Sequence, residues 1–165
     1  MKDSRCKWVL PVVAAALAGI ANANPVNDVP PASDLGNEAS QAEGACIPLL
    51  LEFAADSCEY CVLLEEEVLK PMLRNRDYDQ RVLVRKVALD RAAQLRDFDG
   101  QKVSAAELAE RYRIGVTPTL IFVDRRGEEL AERMVGVTTL DFYGGYLDQA
   151  LDSAAETLRE RRRCR

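Results

Sequence analysis

Phe53-Ala54-Ala55-Asp56-Ser57-Cys58-Glu59-Tyr60-Cys61 decides how the rest of the chain is read. An apolar run from Ile47 to Ala55 gives way there to a helical pattern from Val62 to Leu69, and two cysteines flank a dipeptide at the change. In a C-x-x-C segment that opens a helix, the first sulfur sits at the N-terminal end. Backbone N–H groups and the macrodipole favour a thiolate at that point. The second sulfur lies one turn on, close enough to close a disulfide. Such a pair performs thiol–disulfide exchange: the first thiolate attacks a partner disulfide and the second releases the mixed intermediate. The same motif also serves as half of a zinc site, but tetrahedral zinc needs three or four Cys, His or carboxylate ligands. The chain has no histidine, and Cys6, Cys46 and Cys164 form no second C-x-x-C. Redox chemistry is the better reading, with no metal and no cofactor expected.

Around this motif, 165 residues suffice for one ordinary domain. Residues 1–23 read as a secretion signal. Lys2, Arg5 and Lys7 form a basic start, Val9 to Ile20 an apolar stretch, and Ala21-Asn22-Ala23 a small–x–small cleavage signature. The apolar stretch is shorter than the ~20 residues of a spanning helix. Cys6 precedes it, so Cys6 is not a lipoprotein cysteine. Cleavage after Ala23 leaves a periplasmic or secreted chain without stable membrane insertion. Loss of Lys2, Arg5, Lys7 and Asp3 takes the net charge from −5 to −7. A mildly acidic exported domain has no reason to bind nucleic acid or anionic membrane. The basic tail, residues 159–165, reads as a solvated helix end whose cations suit the dipole. Disulfides persist in an oxidising compartment. Cys46 and Cys164 are then left over, to pair or stay free, and no obligate bridge between them is expected from a tail so basic and frayed.

Residues 24–44 mix Pro25, Pro30, Pro31, Gly36 and Gly44 with small polar residues. They read as a flexible lead-in to a domain spanning 45–158. Ile47 to Ala54 reads as a strand buried on both faces and interrupted by Glu52. The helix after Cys61 would turn Val62, Leu64 (or Leu63), Val68 and Leu69 inward and end or kink at Pro71. Arg81 to Asp90 is a second strand and 97–102 a loop; Ser104 to Glu107 has capping-box spacing that starts a helix. Thr119 to Val123 is a third strand, Asp124 to Gly127 a turn, and Glu129 to Val135 a fourth strand. Leu140, Tyr143, Leu147, Leu151, Ala154 and Leu158 recur at helical spacing. The order β-α-β-α-β-β-α calls for an α/β fold, with parallel crossovers first and an antiparallel hairpin after.

That order, with Cys58-Glu-Tyr-Cys61 after the first strand and Thr117-Pro118-Thr119 before the third, resembles the thioredoxin fold. It is more closely similar to exported thioredoxin-related oxidoreductases of the SoxW type. The shared pattern includes Glu65-Glu-Glu-Val-Leu69, Val87-Ala-Leu-Asp90, Tyr112-Arg-Ile-Gly-Val-Thr-Pro-Thr119 and Phe122-Val-Asp124. The resemblance implies a central mixed sheet flanked by helices, with Cys58 the nucleophile and Cys61 the resolving cysteine. It also implies a cis Pro118 that turns the Thr117 backbone toward an extended substrate, the mode of strand addition. Glu59 and Tyr60 join these two as substrate-facing residues.

Glu52 stands six residues before Cys58, where thioredoxins usually carry a buried aspartate. Burial raises a carboxyl's pKa, and Glu52 would then accept the Cys61 proton; the alternative is that the longer side chain reaches solvent. Lys86 falls where thioredoxins place a lysine near that acid, or else faces outward. Two departures concern poise. Ser57 replaces the usual tryptophan, and Glu59–Tyr60 replaces Gly–Pro. A carboxylate beside Cys58 disfavours its thiolate, which makes the pair a poorer oxidant. The absence of histidine also excludes the His-containing dipeptide of strong periplasmic oxidants. The expectation is a monomeric reductase of client-protein disulfides, supplied by a membrane or secreted thiol electron donor. An oxidase or isomerase of the same fold, and a non-catalytic binding module stapled by Cys58–Cys61, are the alternatives.

Overall fold

The computed structural model of the chain describes residues 28–92 and 94–161. The leader at 1–23, with Cys6, and Cys164 in the basic tail lie outside the described residues. Strand β1 (Leu49–Ala54) is buried at every position. It pairs in parallel with β2 (Leu83–Ala88) and antiparallel with β5 (Thr119–Val123). β5 in turn pairs antiparallel with β6 (Met134–Val135), giving the order β2-β1-β5-β6. This is the mixed sheet of the thioredoxin fold. Between β2 and β5 lie a small hairpin, β3 (Gln94–Arg96) and β4 (Lys102–Ser104), and helix α4 (Ala105–Arg111). The loop expected at 97–102 is the connection of this hairpin, with only Lys102 already in β4. Ser104 caps α4 through the reciprocal bonds of a capping box with Glu107, as the spacing predicts.

Side chains alternate across a strand, so β1 divides the core. Leu49, Leu51 and Phe53 pack with Val87, Ile121, Leu108 and helix α1 (Leu35–Gly44). Leu50 packs with Val84, Leu120, Phe122 and the stripe Tyr143, Leu147, Leu151, Ala154 and Leu158 of α5 (Leu140–Glu160). The helix that follows Cys58 covers that second face. It runs as α2 (Glu59–Leu64), a π-helical turn (Glu65–Leu69) and α3 (Lys70–Arg74). Pro71 therefore neither ends nor breaks it. The missing N–H falls in the first turn of α3, where no donor is needed, and the widened turn before it absorbs the irregular spacing. Leu64 and Leu69 point inward as expected, but Val62 is 51 % exposed and Leu63 40 %.

The lead-in is corrected more deeply. Residues 35–44, expected to be flexible, form α1, whose Asp34 cap accepts the Asn37 N–H at 2.9 Å. Leu35, Ala39 and Ala42 are buried on one face. Before it, the Ala32 N–H donates to the Lys86 carbonyl, and the Lys86 N–H to the Pro30 carbonyl, each at 2.8 Å. The segment lies along the outer edge of β2, a position where proline is tolerated because no second ladder is needed. Small alanines carry little periodic signal, and the prolines mimic a disordered composition. The fourth strand is also shorter than the expected 129–135: β6 has two residues, with Glu129 in an isolated bridge to Val123.

Candidate active site

Cys58 is the N-cap of α2, its backbone extended, and its Sγ accepts the Cys61 N–H at 3.2 Å. A capping sulfur is thus held against the positive end of the helix. Cys58 and Cys61 are joined as a disulfide with Cα atoms 5.2 Å apart. Cys58 is half-buried, Cys61 wholly buried, and Glu59 and Tyr60 between them are exposed. The two sulfurs are therefore unequal in access, which exchange chemistry requires.

The loop leading to Cys58 is pinned. The Asp56 N–H donates to Asp90 Oδ2 at 2.6 Å, and Arg91 grips the Asp56 carboxylate with bonds of 2.9 and 3.1 Å. That guanidinium holds the Asp56 carboxyl below its ordinary range. Across the sheet, the Thr117–Pro118 bond is cis. Phe53 and Thr119 are register partners, so Pro118 lies at the end of the sheet from which the chain leaves β1 for Cys58. Thr119 Oγ1 donates to the Val116 carbonyl at 2.7 Å, and the Pro118 carbonyl accepts the Gly136 N–H at 2.8 Å. Tyr60 and Val116 are both exposed there.

Glu52 is wholly buried and does not reach solvent. Neither of its carboxylate oxygens has a hydrogen-bond partner in the protein. Burial first, then the neighbouring Glu65, push its pKa up to about 8; Lys86 opposes them. Lys86 is the register partner of Glu52, yet its ammonium binds Glu65 Oε1 at 2.6 Å and lies 3.7 Å from Asp56 Oδ1. It therefore does not face outward. Glu65, itself buried, was hidden in Glu65-Glu66-Glu67, a run that reads as a solvated face. Glu65 lies four residues after the buried Cys61, on the same face of the helix, and that spacing was the signal the sequence offered. Tyr143 of α5, expected only as a stripe residue, buries its hydroxyl without a partner on the same side of the sheet. Cys46 is exposed and free, in a left-handed turn at φ +58°. Among the described residues no three His, Cys, Asp or Glu side chains gather as metal ligands.

A family model for a thioredoxin-like domain matches residues 35–151. No match was found among the curated proteins. Among solved structures, Trxlp from Edwardsiella tarda EIB202 is 27% identical over 72% of this chain and 97% of its own, with a TM-score of 0.50. The DsbH oxidoreductase is 18% identical over 84% of this chain and 96% of its own, with a TM-score of 0.55. At that identity the second likeness shows the fold alone.

Proposed function

Since the chain belongs to the thioredoxin-like domain family, we propose that it is an exported reductase of client-protein disulfides, of the SoxW type, working through Cys58 and Cys61. One observation carries this reading: a half-buried sulfur caps α2 while its bonded partner is wholly buried. In the reduced protein Cys58, favoured as thiolate by the helix end, attacks a client disulfide and the client's other sulfur leaves as a thiolate. Thr117 and Pro118, with Glu59 and Tyr60, line the approach of an extended client segment. Glu52 takes the Cys61 proton, Cys61 Sγ bonds to Cys58 Sγ, and the client's second sulfur departs with the electron pair. Two electrons have passed to the client, and the protein is left as the disulfide described above.

Return to the dithiol needs a thiol donor, in the membrane or secreted, because the periplasm lacks the cytosolic supply. The basic–apolar–small leader supports that location, and no cofactor is invoked. Redox titration of the purified protein against glutathione tests the direction. A reductase poises near about −270 mV, whereas a value near about −120 mV would make it an oxidase.

A further inference from the structure

Among the described residues, buried side-chain oxygens without a protein partner occur only in Glu38, Glu52 and Tyr143. Glu38 satisfies its other oxygen with Ser33 and Arg85. Glu52 and Tyr143 have no hydrogen-bond partner for any side-chain oxygen. They lie on one side of the sheet, Glu52 beside Leu120 in register and Tyr143 packed in the cluster that contains Leu50 and Leu120. Burial, and then the Glu52 charge, raise the phenol's pKa, so the two groups lie within electrostatic reach. An unpaired buried polar group costs about 1–3 kcal/mol, and a leucine would fill this position of the stripe without that cost. Tyr143 also forms part of the wall of a groove of about 400 Å³ between β6 and α5, with Met134, Val135, Tyr146 and Ala150.

We propose that Tyr143 is a positioning residue for the resolving step, its phenol linking the Glu52 carboxyl through internal water to the groove between β6 and α5. The inference rests on the reading of Glu52 as the proton acceptor. A proton taken into a buried carboxyl has to leave before the next turnover, and Glu52 has no surface of its own. An internal water needs two to four polar partners, and the carboxylate oxygens with the phenol provide them. Glu52 passes its proton to that water, which Tyr143 Oη holds in place at the inner wall of the groove, and the water exchanges the proton with solvent there. The net change is one proton moved from Cys61 to solvent, while the departing client thiolate draws one from solvent. Lys86 of β2 and Glu65 of the π-helical turn act on the Glu52 charge, and that charge acts on Tyr143 of α5. Leu120 is the apolar neighbour from β5, and α2, which covers this face of the sheet, carries the buried Cys61.

The test compares Tyr143→Phe and Glu52→Gln in the full chain, using glutathione disulfide as probe and quenched-flow to separate attack from resolution. Phenylalanine keeps the ring and removes only the hydroxyl. We expect Tyr143→Phe to slow resolution relative to attack by roughly tenfold near neutral pH, less than the 10²–10⁴ of a full general base. The loss should shrink as the pH rises, and carboxyl NMR should show the Glu52 titration moved upward. Equal slowing of both steps, or a Glu52 titration that does not move while Glu52→Gln still slows resolution, would overturn the role of Tyr143 alone. Wild-type resolution in Glu52→Gln would remove the acceptor itself, and the relay with it.

Discussion

Lys86 stands directly beside Glu52 on neighbouring parallel strands, yet gives its ammonium to Glu65 at 2.6 Å and leaves the Glu52 carboxyl without a protein partner. The arrangement keeps one buried carboxyl paired and leaves the other without a counter-charge in hydrogen-bond contact. Coulomb attraction favours an ion pair when both charges are desolvated together, as at Lys86 and Glu65, whose side chains are 15% and 10% exposed.

Lys86→Met should destabilise the protein by roughly 3 kcal/mol, because it strands the Glu65 charge in the interior. The double variant Lys86→Met/Glu65→Leu should recover most of that loss. Urea unfolding of the two singles and the double checks it; additive losses would deny the pairing.

Glu52 predicts an unusual pH dependence. Its folded pKa of about 8 lies above the ordinary 4.5. Between those values the folded chain binds a proton that the unfolded chain releases. Stability contributed by this group is therefore full below the ordinary value and falls as pH rises through the window. Glu52→Gln should flatten the decline and be the more stable form above it. Unfolding curves of both proteins at about pH 5, about pH 7 and about pH 9 measure this.

Leu35→Ala should cost about 2–5 kcal/mol, the range for an aliphatic truncation in a packed core. Leu35 is wholly buried among Leu49, Leu51 and Phe53. A loss near zero in thermal or urea unfolding would return α1 to the status of a lead-in.

Much of this was legible from local chemistry. The all-buried β1, the Ser104–Glu107 cap and the α5 stripe follow from runs, spacing and propensity within a few residues. Glu52 was visible as an acid in an apolar strand, and its burial settles that it does not reach solvent. What escaped depends on distant partners. α1 buries two alanines and a glutamate beside Leu35, so its face shows only once Leu49 and Leu51 are placed against it. Val62 reads as an inward residue because it is apolar, yet it follows the buried Cys61 by one position and so lies on the side of the helix turned to solvent. Glu65 hides in a charged run until it is placed four residues on from the buried Cys61, and Tyr143 reads as one more apolar residue until its hydroxyl is seen to lack a partner.

The unequal sulfurs are the centre of the account, and trapping tests them most directly. Cys61→Ser keeps the helix-capping Cys58 and removes the group that resolves its adducts, so it should accumulate in covalent complex with exported proteins. Cys58→Ser leaves only the buried Cys61 and should trap almost nothing. Non-reducing electrophoresis of each variant, with identification of the adducts, reads this out and names the client or donor. Abundant adducts with Cys61→Ser alone are the predicted result. Equal trapping by both variants would contradict the assignment of Cys58 as nucleophile, and none by either would contradict a working dithiol and favour a structural staple.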